Sequence, residues 1–524
     1  MTSAAFEGFR KCLETEFSRI YVFNLRGDAT TQGERRRQEG DGVFGDGSRT
    51  PIAITLLVKK KSVQGKATIS YVQTEDYMKR LEKLELLTKS GSFAQLESNA
   101  IMKPLIPAAN GDWLVKRNSA FQTLIPMAGD TAKKFEKHYE ETLFTGYSSG
   151  YKTNRDVWSY NFSKSLLASN MNGLIAEYNR QTSEGIIEYL SDKIKWDGTL
   201  EERSKRKIPI VFSEGHITTT PYRPFSKRYF YRDDLTVNRS YQMPRLYPEG
   251  CNNLTICISG VGVKKDFSCL ITNLQTDLEI VGKSQCFPLY WYEIPEELKD
   301  SRQTTLFNTP ISKPVRHDGI SNFAQTTALK QYSRDIPKED IFYYIYGYLH
   351  SPEYRKTFSD DLKLSLPRIG FVDSYDDFKA FSDAGRKLAD LHLNYESVPM
   401  YGGVKILGSR TVEQFLADPE KLRVRKMKLD EKSRTLVYNE YVTITDIPED
   451  AFRYIVNGRS ALGWLVDQYQ ISVDKESGIE NDPNEYAGPE YIFKLVLSVI
   501  TVSVETMKIV DNLPKLSFDD KSVD

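Results

Sequence analysis

Arginine and lysine side chains are concentrated in two stretches of the sequence, where they could bind phosphate groups and the edges of bases. The first stretch, 26–61, contains five arginines and ends in three consecutive lysines, but it also contains five carboxylates. Clustered arginines of this kind occur both in solvated loops and in DNA contacts, so both interpretations stay open. The candidate DNA-binding residues here are Arg35, Arg36, Arg37 and Arg49.

The second stretch, 203–245, is more strongly basic. Ten lysines and arginines oppose three carboxylates, a net charge of about +7 in a chain that has 71 basic and 71 acidic residues. Six aromatic residues between positions 222 and 241 interleave with these cations, and about half of them should face a core if the stretch is β-structure. Arginine forks suit guanine edges and phosphates, which favours nucleic acid. The candidate DNA-binding residues here are Arg223, Lys227, Arg228, Arg232, Arg239 and Arg245.

No other group of residues has the spacing of a reaction centre. The five histidines show no H-E-x-x-H pattern, and the five cysteines form no C-x-x-C pair, so no zinc site is expected. Residues 43–47 imitate the F-x-G-x-G cofactor loop of methyltransferases, but a strand follows them where a helix should begin. The N/D-P-P-Y/F tetrapeptide of amino-methyltransferases is absent. We therefore expect no catalytic, cofactor-binding or metal-ligating residue in this chain.

The overall composition is that of a globular protein of several domains. The chain has 524 residues, of which 40% are hydrophobic and 12% aromatic, enough for two to four domains. Zero net charge argues against a nonspecific nucleic-acid coat and leaves a local basic cleft possible. The odd cysteine count without a secretory signal fits a reducing compartment. The longest apolar run, 495–504, is too short to cross a bilayer, so we predict a cytoplasmic protein without membrane contact.

Hydrophobic periodicity predicts the elements that position these residues. The opening part should contain a helix, a strand over 20–25, a mobile surface loop over 27–50, two strands over 52–58 and 67–72 joined as a hairpin, and a second helix over 74–89. After residue 90 the pattern changes to short strands and turns, then to a polar connection over 301–338. Helices are predicted further on over 339–349, 351–366, 375–396, 448–470 and 489–511.

Seven stretches, in order along almost the full chain, resemble the C-terminal part of type ISP restriction–modification enzymes. In that family one polypeptide joins a nuclease, a helicase-like motor, a coupler, an N6-adenine methyltransferase and a target recognition domain. The matching stretches are NLRGDATTQGERRRQEGDGVFGDGSRTPIAITLLVK, YRPFSKRYFY, CFPLYWYEI, YIYGYLHSPEYRKTFSDDLKLSLPRIGF, AGRKLADLHLNYE, VNGRSALGWLVDQYQI and SGIENDPNEY.

The resemblance implies an α/β plus α+β fold in three parts. Residues 1–90 would be the C-terminal remnant of the methyltransferase domain, with the last strands of a class I (Rossmann-like) sheet, whose final two strands form an antiparallel hairpin. Residues 91–400 would be the main part of a mixed α+β target recognition domain. Residues 401–524 would be its C-terminal part.

The resemblance also implies a function, which is sequence-specific recognition of double-stranded DNA as the specificity portion of such an enzyme. S-adenosylmethionine would serve the complete enzyme, and this chain would hold no cofactor and would not methylate or cleave alone. Because a methyltransferase must extrude its adenine, Phe44 is a candidate contact for the flipped base, although a core position for Phe44 is equally open. One alternative is a subunit of a split S-adenosylmethionine-dependent DNA adenine methyltransferase, completed by an upstream polypeptide that carries methyltransferase, helicase or nuclease parts. Another is a protein-interaction module.

Overall fold

The computed structural model describes residues 6–30, 33–44, 48–60, 65–108, 111–114, 117–129, 135, 141–295, 313–408 and 410–518. The chain divides into two compact units. Unit 1 is Met1–Asn118 and unit 2 is Ser119–Asp524. The predicted domain boundaries at 90 and 400 stay predictions.

Unit 1 is built around a four-stranded mixed sheet of order β2-β1-β3-β4. Strand β1 pairs antiparallel with β2 and parallel with β3, and β4 pairs antiparallel with β3. Its elements are α1 (Glu7–Glu16), β1 (Arg19–Arg26), α2 (Gly33–Glu39), β2 (Ile52–Val58), β3 (Thr68–Gln73), α3 (Arg80–Lys89), α4 (Phe93–Ser98) and β4 (Lys103–Leu105).

Strand β1 is buried on both faces, which explains its central position. Successive strand residues point to opposite faces of a sheet. Tyr21, Phe23 and Leu25 therefore pack on one side, in a cluster that includes side chains of α3 and α4. Ile20 and Val22 pack on the other side, in a cluster that includes side chains of α1. The sheet thus has helices on both faces, as α/β proteins do.

The predicted hairpin of the second and third strands is wrong, because β1 lies between β2 and β3. Val58 at the end of β2 and Thr68 at the start of β3 both pair with Arg19, so their connection crosses the start of β1. The strongly buried strand takes the place with two neighbours, and the half-exposed β2 takes the edge. Residues 61–64, between the two strands, lie outside the described residues.

The predicted mobile loop over 27–50 also differs from the structure. It contains the helix α2, and backbone hydrogen bonds fix both of its flanks, for example from Gly27 to Glu39 and from Ala29 to Arg49. The sequence pattern missed this helix because its seven residues, GERRRQE, contain no apolar side chain that could show a helical period.

Unit 2 is a mixed α and β structure with several small sheets. Its larger sheets have the orders β11-β10-β12-β6, β7-β9-β8 and β16-β19-β18-β17. The elements of its first half are β5 (Ile125–Pro126), β6 (Ser148–Ser149), α5 (Asp156–Ser159), β7 (Tyr160–Asn161), α6 (Lys164–Glu184), α7 (Gly198–Lys205), β8 (Ile217–Arg223), β9 (Ser226–Tyr231), α8 (Met243–Leu246), β10 (Thr255–Ile258), β11 (Cys269–Thr272), β12 (Gln285–Pro288) and β13 (Tyr290–Glu293).

The second half of unit 2 is richer in helix. It contains β14 (Val315–Asp318), α9 (Asn322–Tyr332), α10 (Lys338–Tyr348), α11 (Pro352–Thr357), α12 (Asp361–Leu364), β15 (Arg368–Ile369), α13 (Tyr375–Leu393), β16 (Lys405–Ile406), α14 (Val412–Leu416), β17 (Lys428–Asp430), β18 (Thr435–Val437), β19 (Thr443–Thr445), α15 (Asp450–Arg453), β20 (Ile455–Val456), β21 (Arg459–Ser460), α16 (Ala461–Gln468), β22 (Ser472–Val473), β23 (Glu480–Asn481) and α17 (Pro489–Asp511).

The core of unit 2 lies on both faces of the β11-β10-β12-β6 sheet. One face contributes Cys257 and Cys286 to a cluster that includes the apolar side chains of α17. The other face contributes Ile256 and Phe287 to a cluster that includes α10 and α13. Helices α10 and α13 approach so closely that a Cβ at Gly385 would lie 1.9 Å from a backbone oxygen of α10, which only glycine allows.

The predicted helices over 339–349, 375–396 and 489–511 are confirmed as α10, α13 and α17. The predicted polar connection over 301–338 is wrong where the structure describes it, because β14 and α9 lie there. Within the described ranges, no helix combines the length and apolar character needed to span a membrane. The mixed α and β composition agrees with the predicted fold class, whereas the Rossmann-like nature of the unit 1 sheet stays a prediction.

Candidate nucleic-acid interface

The segment between β1 and β2 carries four of the predicted DNA-binding cations. Arg35 lies in α2, and its side chain is outside the described part of the structure. Arg36, also in α2, is half-buried and donates a hydrogen bond of 2.6 Å from Nη1 to the oxygen of Gly40. Arg37 and Arg49 are exposed. At least two of the four arginines are thus exposed residues.

Phe44 lies after α2 in the same segment and is exposed over 71% of its surface. The core position that the sequence left open for Phe44 is therefore wrong. The neighbouring Val43 is buried in its place, in the cluster beside Phe23. An exposed phenylalanine next to a buried valine is available for contact with another molecule.

The second basic stretch folds into a hairpin of β8 and β9, preceded by α7 and followed by an irregular segment that leads to α8. Three of its cations have partners within the protein. Arg223 forms an ion pair of 2.6 Å with Asp277, and Lys227 forms one with Glu396. The guanidinium of Arg228 lies 4.1 Å from the ring centre of Tyr222 and donates to another side chain at 3.1 Å.

The environment of Arg223 and Asp277 is nearly closed to water. The side chain of Asp277 is 3% exposed and that of Arg223 is 16% exposed. Burial raises the pKa of Asp277 to about 6, and the Arg223 guanidinium opposes this shift. The Tyr160 hydroxyl donates a further hydrogen bond of 3.0 Å to Asp277, so this carboxylate connects β7 with β8. The group fixes the hairpin in place, and its cation is already neutralised.

A second group of cations in the same stretch lies on the surface. Lys205, Arg206, Lys207 and Arg239 are exposed and Arg232 is half-exposed, and none of the five forms a salt bridge with another described residue. We call these five residues the α7 basic surface. Arg232 and Arg239 were predicted as DNA-binding residues. The three residues at the end of α7 contributed to the predicted charge without being singled out, although their run K-R-K was the available signal.

The five residues of the α7 basic surface come from two elements that lie together, because α7 packs on the segment that follows β9. Arg203 of α7 donates hydrogen bonds of 2.6 Å and 2.7 Å to the carbonyl oxygens of Leu235 and Asp234. Asp197, the N-cap of α7, accepts a hydrogen bond of 3.0 Å from Asn238. Cations on both elements therefore belong to one region of unit 2.

Arg245, the remaining predicted cation, lies against aromatic rings. Its guanidinium is 4.8 Å from the ring centre of Trp291, and this ring stacks on His317 at 4.2 Å. Arg245 also donates a hydrogen bond of 3.4 Å from Nε to the oxygen of Tyr292. These contacts tie α8 to β13, as a structural arginine does.

The described residues contain no group of three or more metal-ligating side chains arranged around a possible ion. In the segment that imitates a cofactor loop, 43–47, the structure describes Val43, which is in the core, and Phe44. The described residues 48–51, which precede β2, contain no helix. This arrangement does not fit the phosphate- and cofactor-binding turns that open a helix.

The family model of the Type ISP C-terminal specificity domain matches residues 142–495. The chain belongs to this family. The matched region lies within unit 2 and includes the β8–β9 hairpin, the α7 basic surface and Arg245. A comparison with curated proteins gave no match.

Three solved structures are similar to this type ISP chain over nearly its whole length. One is a nuclease-deletion mutant of the Type ISP restriction-modification enzyme LlaGI in complex with a DNA substrate mimic, which is 36% identical in sequence to this chain. The match has a TM-score of 0.79 and covers 97% of this chain and 45% of the LlaGI chain. The ATP-dependent Type ISP restriction-modification enzyme LlaBIII bound to DNA is 33% identical, and the match has a TM-score of 0.81 and covers 98% of this chain and 32% of the LlaBIII chain. The protein in the DrdV–DNA complex is 28% identical, and the match has a TM-score of 0.78 and covers 98% of this chain and 50% of the DrdV chain. The chain thus spans a third to a half of the length of these relatives.

Proposed function

We propose that this chain recognises a specific sequence in double-stranded DNA, as the specificity portion of a restriction–modification enzyme with adenine-N6 methyltransferase activity. The observation that carries the proposal is the α7 basic surface, where five cations without described carboxylate partners lie on two adjoining elements of a neutral protein. The similar solved structures are described as complexes with DNA or a DNA mimic, which supports the same partner. We expect the protein to act in the cytoplasm.

The two groups of cations would have different tasks in this function. Phosphate contacts set the position of a protein on DNA, and base contacts set the sequence. The exposed side chains of the α7 basic surface can reach phosphates without losing an internal partner. Arg223, Lys227 and Arg228 would each have to leave an ion pair or ring contact to reach DNA, so in this proposal they hold the hairpin in place.

Unit 1 would supply a further contact beside the target base. Methyl transfer to adenine requires that the base leave the duplex, and an exposed aromatic ring can stack on it. Phe44 offers such a ring. S-adenosylmethionine would supply the methyl group in the complete enzyme, and because 43–47 does not fit it, we propose that residues outside this chain hold it.

A split enzyme completed by another polypeptide is a second candidate, and the surface of unit 1 favours it. The edge strand β2 exposes Ile54, Leu56 and Leu57 by 39%, 42% and 36%. An edge strand with apolar side chains on its surface is a usual site for further protein contacts. Methyl transfer to duplex DNA on mixing the chain with a separate methyltransferase polypeptide, and by neither alone, would establish this candidate.

The test of DNA recognition is selection of bound duplexes from a random pool, followed by affinity measurements at several salt concentrations. The triple variant Lys205→Ala, Arg206→Ala, Lys207→Ala should bind the selected duplex more weakly and lower the slope of log affinity against log salt by about 2 to 3. The matched control is Lys330→Ala, Lys356→Ala, Lys387→Ala, which removes the same charge from exposed positions on α9, α11 and α13.

The control variant should keep the affinity and the salt slope of the unaltered chain. An equal loss in both variants would mean that total charge, and not the α7 basic surface, governs binding. A selection that yields no preferred sequence would reject sequence-specific recognition altogether.

A further inference from the structure

Lys83 of α3 is a fully buried lysine whose ammonium group is bonded entirely to backbone oxygens. Its Nζ lies 2.8 Å from the oxygen of Leu25, 2.9 Å from that of Glu39 and 2.9 Å from that of Asp41. An ammonium has three hydrogens to donate, and here three carbonyls accept them. No ion pair joins Lys83 to a carboxylate of the described residues. Burial of an ammonium group is costly, and it lowers the pKa of Lys83. The hydrogen bonds to the three carbonyls offset this cost.

The three carbonyls belong to the two ends of the segment between β1 and the Phe44 turn. Leu25 lies in β1, Glu39 is the last residue of α2, and Asp41 follows α2. Lys83 therefore joins the start of this segment to its end. We call residues 26–44 the Phe44 segment.

Other residues next to Lys83 hold the same segment. The backbone nitrogen of Tyr77 donates to Gln38 at 3.1 Å, and that of Asp41 donates to Met78 at 3.0 Å. Arg80 donates from Nε to the oxygen of Val43 at 3.0 Å. All of these anchors come from residues 77–83, at the beginning of α3.

The backbone of the segment is built for this close contact. Gly40 has a φ of +65°, and a Cβ there would lie 2.2 Å from the oxygen of Met78. Gly27 has a φ of +90°, and a Cβ there would lie 2.9 Å from Gly42. Both positions favour glycine through their conformation and their lack of space. The segment is thus fastened in one arrangement immediately before the exposed ring of Phe44.

We propose that Lys83 is a positioning residue, which fixes the Phe44 segment so that the ring of Phe44 meets DNA in the bound complex. The proposal rests on the proposed function, because it needs DNA as the partner. A contact residue on a well-ordered support loses little conformational entropy when it binds, so the buried ammonium contributes to DNA affinity through Phe44.

The test is a double-variant cycle in the full chain, with the duplex recovered by the selection described above. Lys83→Met removes the ammonium and keeps an unbranched stem, and Phe44→Ala removes the ring. Each variant should weaken binding on the order of tenfold, the range of one base–aromatic stacking contact. The double variant should bind no more weakly than Phe44→Ala alone, because Lys83 acts through that ring. Amide hydrogen exchange at Gly27 and Asp41 should become faster in Lys83→Met.

Two further variants keep the outcome interpretable. Lys89→Met removes an exposed cation from the same helix, and its affinity should equal that of the unaltered chain. Gly40→Ala displaces the Phe44 segment while keeping Lys83, and it should show the same dependence on Phe44 if Lys83→Met fails to fold. Additive losses from Lys83→Met and Phe44→Ala would overturn the proposal. An unaffected affinity in Phe44→Ala, together with weakened binding by the Lys205–Lys207 triple variant, would overturn it and leave DNA recognition intact.

Discussion

Units 1 and 2 differ in how completely each buries its own apolar side chains. Among the described residues, twelve exposed large apolar side chains belong to the 118 residues of unit 1 and fifteen to the 406 residues of unit 2. Unit 2 surrounds a central sheet with apolar clusters on both faces, whereas the two clusters of unit 1 are small. Large exposed apolar surface marks contact sites. Exposed apolar side chains are thus more frequent in unit 1, and in the proposed split enzyme they would contact the other polypeptide.

Two cations that are largely shielded from water, one in each unit, are held in different ways. In unit 2, Arg223 is neutralised by Asp277, which lies 54 positions further along the chain. In unit 1, Lys83 is bonded to carbonyl oxygens of one nearby segment. The first arrangement joins distant parts of a large core, and the second fixes a surface segment. The difference predicts an effect on stability at Arg223 and an effect on binding at Lys83.

The largest effect is expected from Arg223→Ala in unit 2. The substitution leaves the carboxylate of Asp277 buried without its cation, which should lower the free energy of unfolding of unit 2 by about 3–5 kcal/mol. Urea denaturation followed by tryptophan fluorescence measures this change, since four of the five tryptophans lie in unit 2.

Arg239→Ala is the matched control, because Arg239 is exposed in the same basic stretch. Its stability should change by no more than about 0.5 kcal/mol, while its affinity for DNA falls. A small stability loss in Arg223→Ala would mean that its ion pair does not hold the hairpin, and Arg223 would then return to the candidate DNA contacts.

A smaller effect on unit 2 is expected from acid. All five histidines of the chain lie in unit 2, and His392 is buried with its Nδ1 2.6 Å from the Tyr346 hydroxyl and its Nε2 3.0 Å from that of Thr506. Burial, with a smaller contribution from Arg355, lowers the pKa of His392 from 6.5 to about 3. The unfolded chain therefore binds a proton below pH 6.5 that the folded chain does not.

Stability from this group is complete above pH 6.5 and is lost as the pH falls towards 3. The loss at pH 5 should be about 2 kcal/mol, from 1.36 kcal/mol for each pH unit below 6.5. His392→Gln should reduce the difference between urea midpoints at pH 7 and pH 5 for unit 2. A pH dependence that is the same with and without His392 would assign acid sensitivity to other groups.

Sequence patterns predicted the elements better than their arrangement. The strands β1, β2 and β3 and the long helices α13 and α17 follow from hydrophobic periods that lie within one element. The pairing of β1 with both β2 and β3 depends on which strand is most buried, and that is a property of the whole sheet. The predicted hairpin was wrong for this reason.

In the candidate site, too, the sequence predicted the location of the residues but not their contacts. Composition located the basic stretch 203–245, but it could not separate the cations that have internal partners from those that have none. Arg228 donates to Gln468, 240 positions away, and no local pattern contains such a partner. The sequence also could not predict which of two apolar neighbours is buried, since Val43 is in the core and Phe44 is exposed.

The smallest effect on stability is expected at the exposed edge strand β2 of unit 1. Ile54→Thr with Leu56→Thr changes one face of β2 and should alter the stability of unit 1 by no more than about 1 kcal/mol, because both side chains lie on an edge strand and are partly exposed. The fluorescence of a dye that binds apolar surface should nevertheless fall. Val437→Thr, at a position 41% exposed in unit 2, should leave that fluorescence unchanged. An equal fall for both would mean that the exposed side chains of unit 1 are scattered like those of unit 2 and form no contact surface.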